Sequence, residues 1–179
     1  MIRGATQLLA CSLLALVTIS APARAQSGSP VEFGADAALT LVFDPNVVIV
    51  TVPVSEARIG FFVSPKVELE PRFRLVAASG GGGSTTELGL IVGALFHRSA
   101  SRALPQTYVR PFAQLSSFRI SGGSSSTATS LGVGVGMKRP IGNRFAFRPE
   151  LNYAHQFDTG NSGTGDRLQL LIGFSVYSH

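Results

Sequence analysis

The chain has 179 residues, a formal net charge of +5 and a single cysteine. Its basic residues are scattered and form no cluster or basic helix, which argues against a nucleic-acid-binding protein. One cysteine excludes a disulfide framework. After the N-terminal segment, no apolar run approaches the length of a membrane-spanning helix, and the length is that of a single domain.

Residues 1–25 have the pattern of a secretory signal peptide. Arg3 gives a basic start, residues 8–19 are apolar, and Ala23-Arg24-Ala25 matches an A-x-A cleavage site before Gln26. The only cysteine, Cys11, lies inside this segment and precedes most of the apolar stretch, which disfavours a lipoprotein cleavage box. We therefore predict an exported protein whose mature domain spans residues 26–179.

Eight segments with an apolar residue at every second position follow, and a period of two indicates a β-strand with two different faces. The sequence does not define the start of the second strand, because residues 47–54 are apolar on both faces and include Pro53. The predicted strands cover residues 31–43, a segment ending near 64, 66–77, 86–97, 107–120, 131–138, 144–157 and 166–176.

The last segment shows the pattern most clearly. One face is apolar, and the other is mostly polar or small, with Arg167, Gln169, Gly173 and Ser175. The segments are longer than the five or six residues usual in a soluble β-sandwich and suit a bilayer crossing. We predict an all-β fold, an eight-stranded antiparallel up-and-down transmembrane β-barrel, with a soluble β-sandwich or periplasmic β-barrel as the alternative. Its apolar face comprises Leu168, Leu170, Ile172, Phe174 and Val176.

The connections alternate in composition. Those after the third, fifth and seventh strands are rich in Gly, Ser, Thr and Asn, whereas those after the second and sixth are short and contain Pro or Gly. This alternation is typical of a barrel with long outer loops, short periplasmic turns and both termini inside. Mobile surface loops are predicted around residues 80–85, 121–130 and 158–165.

A weak repeat places charged residues beside prolines in three strands of the same direction. It reads Glu70-Pro71-Arg72, Arg110-Pro111-Phe112 and Arg148-Pro149-Glu150. Each proline removes a ladder donor, so we expect a β-bulge at that level. The neighbouring charges would point into the lumen, as a structural ion-pair plug or as the lining of a narrow solute path. The predicted lumen charge cluster comprises Glu68, Glu70, Arg72, Arg74, Arg110, Arg148 and Glu150.

Other candidate sites favour structural interpretations. His97-Arg98-Ser99 loosely resembles part of a lipid A deacylase site, but no acidic residue lies nearby in sequence. His155, between Tyr153 and Phe157, fits an interfacial aromatic girdle. Three isolated histidines predict no metal site, and no cofactor is expected. The alternating glycines of residues 132–136 lack dinucleotide-loop spacing and would line a crowded lumen.

The signal peptide and three short motifs resemble the superfamily of small outer-membrane β-barrels, porin-like or OmpA/OmpX-like. The motifs are Val31-Glu32-Phe33-Gly34-Ala35, Tyr108-Val109-Arg110-Pro111-Phe112-Ala113 and Leu151-Asn152-Tyr153. The family's terminal aromatic, which the barrel assembly machinery reads, is displaced here, since the chain ends Tyr177-Ser178-His179. The resemblance covers the whole mature chain.

Together these features predict a monomer in the outer membrane of a Gram-negative bacterium, surrounded by outer-membrane lipid and inserted by the barrel assembly machinery. The expected role is non-enzymatic, in envelope structure or surface interaction, and no catalytic residue is assigned. A narrow porin-like channel is the main alternative, and a lipid-modifying enzyme is a further one. The family hosts all of these roles, so its fold does not choose among them.

Overall fold

The computed structural model describes residues 31–43, 46–80, 83–101, 104–120, 123, 125–157 and 164–178. The predicted signal peptide lies outside these residues. Within them, no helix is long and apolar enough to cross a bilayer.

The described chain forms a closed β-barrel in which each strand pairs with its neighbours in sequence and β1 closes on β8. All neighbouring pairs are antiparallel. This confirms the predicted eight-stranded up-and-down barrel and excludes the two-sheet sandwich. The strands are β1 Val31–Phe43, β2 Asn46–Ser64, β3 Val67–Gly80, β4 Gly83–His97, β5 Gln106–Ile120, β6 Ser125–Ile141, β7 Phe145–Phe157 and β8 Gly165–Tyr177.

The barrel has two distinct ends. At one end Glu32 of β1 pairs with Tyr177 of β8, and the connections β2–β3, β4–β5 and β6–β7 lie there too. We call it the terminal end. The opposite end holds the connections β1–β2, β3–β4, β5–β6 and β7–β8, and we call it the loop end.

The distribution of side chains is the inverse of that in a soluble protein. Large apolar side chains point outward and remain exposed, including Phe73 at 56% and Phe174 at 57% of their full area. The inward positions are occupied largely by charged and polar groups. The four largest side chains that are fully buried are arginines, namely Arg58, Arg72, Arg110 and Arg148. A continuous exposed apolar surface needs an apolar environment, so this arrangement fits lipid outside and a polar lumen inside. It disfavours a soluble periplasmic barrel.

Several predicted strand and loop boundaries were wrong because the strands extend further toward the loop end. β6 begins at Ser125, so residues 125–130 belong to a strand rather than to the predicted loop 121–130. β3 and β4 pair up to Gly80 and Gly83, which shortens the loop predicted at 80–85. Gly165 likewise begins β8, and the rest of the loop predicted at 158–165, apart from residue 164, lies outside the described residues.

The prolines of the repeat do not produce the expected bulges. Pro71 pairs with Val92, Pro111 with Val133 and Pro149 with Ile172, and the register is unchanged across each position. With the other neighbouring strand, the ladder omits two consecutive pairs, that of the proline and that of the residue before it, and then resumes in the same register. A missing N–H therefore weakens the ladder on one side only, so no extra residue is required.

The register shifts elsewhere, on both sides of β2. Between Asp36 and Ala38 of β1 the partner changes from Glu56 to Thr51, so β2 contributes extra residues there. A second irregularity follows Phe62. The sequence left the start of β2 undefined, and the structure places it at Asn46.

Candidate functional site: a charge network in the lumen

The lumen is filled by charged side chains from inward-facing positions on all eight strands. Acidic and basic members are equal in number among the described residues, and most are nearly inaccessible to solvent. Charges with so little contact with water need charged partners, because transfer from water penalises an unpaired ion strongly. The members are Glu32, Asp36, Glu56, Glu68, Glu70, Glu87 and Glu150, with Arg58, Arg72, Arg74, Arg110, Lys138, Arg148 and Arg167.

Glu150 on β7 is the centre of the network. Its carboxylate accepts hydrogen bonds from Nη2 of Arg72 at 2.8 and 2.9 Å, from Nη2 of Arg110 at 2.7 Å and from Nη2 of Arg148 at 2.8 Å. The Tyr108 hydroxyl donates a further bond of 2.6 Å to it. Donors from three strands, β3, β5 and β7, therefore converge on one carboxylate, which ties opposite walls of the barrel together.

Glu70 on β3 is a second centre at the same height. Nε of Arg72 donates to its Oε1 at 2.7 Å, and Arg148 contacts both of its oxygens. Nε of Arg58 lies 3.6 Å from Oε2. Arg148 and Arg72 each bridge Glu70 and Glu150, so the two centres form one connected network rather than separate pairs.

A third group lies nearer the terminal end. Nζ of Lys138 bridges Glu32 and Glu68, at 2.6 Å from the latter. His97 Nε2 lies 3.0 Å from Glu68 Oε2, and the Ser175 hydroxyl donates to Glu32 at 2.5 Å. The ammonium group therefore lies between two carboxylates that would otherwise repel each other.

The loop-end part of the lumen is held more loosely. Arg74 Nε lies 3.4 Å from Glu87, and Nη1 lies 3.8 Å from Glu56. Neither nitrogen makes a hydrogen bond within the described part of the chain. Arg167 donates to Gln114 at 2.6 Å.

Apolar and small residues complete the filling. Ile91, Phe112 and Ala154 form a buried apolar cluster on the loop-end side of the network, and the Arg110 guanidinium lies 4.4 Å from the centre of the Phe112 ring. A Cβ atom on Gly134 would collide with Asn152, and one on Gly136 with the Tyr108 hydroxyl. Glycines therefore line a crowded lumen at these positions, as the sequence indicated.

The structure places every residue of the predicted charge cluster inside the lumen. Glu70, Arg72, Arg110, Arg148 and Glu150 meet in one network, whereas Glu68 belongs to the Lys138 group and Arg74 lies toward the loop end. Sequence reasoning missed Tyr108 and the other charged members of the lumen, among them Glu32, Arg58 and Lys138. Glu32 and Arg58 occupy inward positions on strands whose alternation was visible, so that pattern could have identified them.

The remaining candidate sites also have partners. The acidic neighbour of His97 is Glu68 on the adjacent strand, and the pair faces the lumen rather than lipid. Glu32, Glu68 and Glu70 bring carboxylate oxygens within 4.8 Å of one another, but Lys138 and Arg148 already bind these groups. On the outer surface, Asp166 accepts from the Tyr153 hydroxyl at 2.7 Å and lies 2.9 Å from His155.

No model of a known protein family matches the sequence, and a search of curated proteins found no relative. Solved structures do match. Neisserial surface protein A (NspA) superposes with a TM-score of 0.58 at 14% identity, covering 82% of this chain and 95% of NspA. The chain has the fold of the small eight-stranded outer-membrane β-barrels.

Two further structures support the same fold. Ail, the attachment invasion locus protein of Yersinia pestis, matches with a TM-score of 0.52 at 12% identity, covering 84% of this chain and 97% of Ail. The outer-membrane protein OprG from Pseudomonas aeruginosa matches with a TM-score of 0.53 at 11% identity, covering 85% and 96%. At such low identity the likeness establishes the architecture alone.

Proposed function

We propose that this chain is a non-enzymatic outer-membrane protein of a Gram-negative bacterium, with a role in envelope structure or surface interaction. The observation that carries the proposal is the connected network around Glu70 and Glu150, which closes the lumen with paired charges. A barrel closed by its own side chains acts through its outer surface and its ends, not through its interior.

The exposed apolar outer surface supports the proposed location, because a bilayer is the environment that satisfies it. The structural neighbours are outer-membrane proteins, and one of them is named for attachment and invasion. For this chain, surface interaction would use the loop end, where β3–β4 and β5–β6 extend beyond the charge network.

The location is tested by cell fractionation and by electrophoresis of boiled and unboiled samples. We expect the protein in the outer-membrane fraction, cleaved before Gln26, with a heat-dependent shift in mobility. A soluble periplasmic species without that shift would contradict the proposed location.

A narrow channel is the second candidate function, and the loosely held Arg74 is the observation that favours it. Opening a path would also require the salt bridges of Arg72 and Arg148 to separate. Conductance in planar lipid bilayers distinguishes the two proposals. We expect wild-type protein to give no regular current steps, and reproducible ohmic steps from wild-type protein would favour the channel.

A further inference from the structure

The exposed charges of the terminal end are all basic among the side chains that the structure describes. Lys66 lies in the β2–β3 turn, Arg98 follows β4, Arg139 is near the end of β6, and Arg144 precedes β7. The acidic residues near this end, Glu32 and Glu68, are buried in the lumen and paired with Lys138. The terminal end therefore presents a positive rim to its surroundings.

Two of these basic residues share a groove of about 500 Å³. Lys66 and Arg98 line it together with Ser99, Leu104 and Thr107. The groove combines two cations with hydroxyl groups and an apolar wall, and Leu104 exposes 60% of its area. This combination suits an amphipathic ligand with a negatively charged head.

Backbone hydrogen bonds fix the walls of the groove. The N–H of His97 donates to the carbonyl oxygen of Lys66 at 2.8 Å. The N–H of Arg98 donates to the carbonyl oxygen of Thr107 at 2.9 Å. The side chain of Gln106, which is itself buried, donates to the carbonyl of Ser99 at 3.0 Å. The segments bearing the two cations are therefore held at a defined position before any ligand binds.

The side chains of Lys66 and Arg98 make no hydrogen bond or ion pair with another residue in the described ranges. Their exposure leaves them able to bind an external anion. Phe96 exposes 51% of its area, lies two positions before Arg98 and pairs with Val67, the residue after Lys66. The two cations therefore lie beside the outward apolar surface.

We propose that this groove binds the phosphate-bearing headgroup of an anionic phospholipid. The phosphate would lie between Lys66 and Arg98. The acyl chains would run along Leu104 and Phe96 toward the outward apolar surface of the barrel. The inference rests on the proposed membrane location, because only a barrel in a bilayer presents this rim to headgroups. Each basic residue near an anionic surface contributes attraction that corresponds to about a five-fold change in affinity.

The test is native mass spectrometry of the intact barrel in neutral detergent, with equimolar phosphatidylglycerol and phosphatidylcholine as probes. We expect wild-type protein to retain phosphatidylglycerol preferentially. Lys66→Gln combined with Arg98→Gln should remove that preference, so that the variant retains the two lipids equally. Arg119→Gln is the matched control, since Arg119 is an exposed basic residue near the loop end, and it should behave as wild type.

Equal retention of both lipids would overturn the proposal, as would an unchanged double variant or an equal loss in Arg119→Gln. Displacement by millimolar inorganic phosphate would assign the groove to free anions instead of lipid headgroups. The heat-dependent gel shift is measured on the same sample. Its absence would overturn the membrane location and this inference together, whereas a normal shift without lipid preference would overturn this inference alone.

Discussion

The lumen and the terminal rim use the same residue types in opposite ways. Inside, Arg148 and Arg72 each contact two or more carboxylates and are almost completely buried. On the rim, Lys66 and Arg98 are exposed and have no carboxylate partner among the described residues. Buried charges must be compensated by the protein itself, whereas exposed charges can be compensated by water or by an external anion.

The largest effect is expected from Arg148→Ala. Removing this guanidinium leaves Glu70 and Glu150 without one of their partners inside the barrel, so we expect a loss of about 3–5 kcal/mol in the free energy of unfolding. Reversible urea unfolding in lipid vesicles measures it. Arg139→Ala, a change at the exposed rim, should stay within about 0.5 kcal/mol.

A double-mutant cycle sharpens this prediction. Because Arg148 and Glu70 contact each other directly, Arg148→Ala combined with Glu70→Ala should lose less stability than the sum of the two single changes. Additive losses would show that the two residues do not belong to one network. Current steps in Arg148→Ala alone, with none in wild type, would identify this network as the seal of the lumen.

The next effect concerns the outer face of β8. Ile172 is about half exposed near the middle of that strand, at 47% of its area. An arginine there should cost about 2–4 kcal/mol, because it faces the apolar part of the bilayer. Arginine at Gln169, which points into the lumen and bonds to Thr40, should cost less, since polar partners are within reach. Equal costs in urea unfolding would contradict the assigned faces.

Two tyrosines that each donate to a carboxylate provide the comparison with the smallest expected effect. In the buried lumen the Tyr108 hydroxyl donates to Glu150 at 2.6 Å and accepts from Nε of Arg148 at 2.6 Å. On the exposed surface the Tyr153 hydroxyl donates to Asp166 at 2.7 Å. Tyr108→Phe should cost about 1.5–3 kcal/mol, the range for a hydrogen bond to a charged group. Tyr153→Phe should cost about 0.5 kcal/mol or less. Equal losses in urea unfolding would mean that burial does not strengthen the hydrogen bonds of the Tyr108 hydroxyl.

The sequence predicted the barrel and the direction of most side chains, because the period of two depends only on local geometry. It did not predict the partners within the lumen. Glu32 and Lys138 are separated by 106 positions and meet only when the barrel closes. The proline repeat lies on β3, β5 and β7, so a cluster centred on it does not include Arg58 on β2. Arg74 was included for its position on β3, although its nearest carboxylates are Glu56 and Glu87.

The proline repeat shows a second limit of the sequence. Pro71, Pro111 and Pro149 each remove one donor, and a bulge is one way to accommodate the loss. Whether the strand bulges or keeps its register and omits the pairs at the proline depends on the register of both neighbours, which local sequence does not encode. Here both neighbours keep their register. The actual irregularities border β2, where only the broken alternation of residues 47–54 gave a signal.

The central claim is that apolar side chains face lipid while charged ones fill the lumen, and a spin-label scan along β8 tests it most directly. The only native cysteine, Cys11, lies in the predicted signal peptide, so a single introduced cysteine would be the unique label in the mature chain. Labels at Leu170 and Ile172 in reconstituted vesicles should show high accessibility to oxygen dissolved in lipid, and labels at Gln169 and Leu171 should show low accessibility. Similar lipid accessibility at consecutive positions would contradict the account.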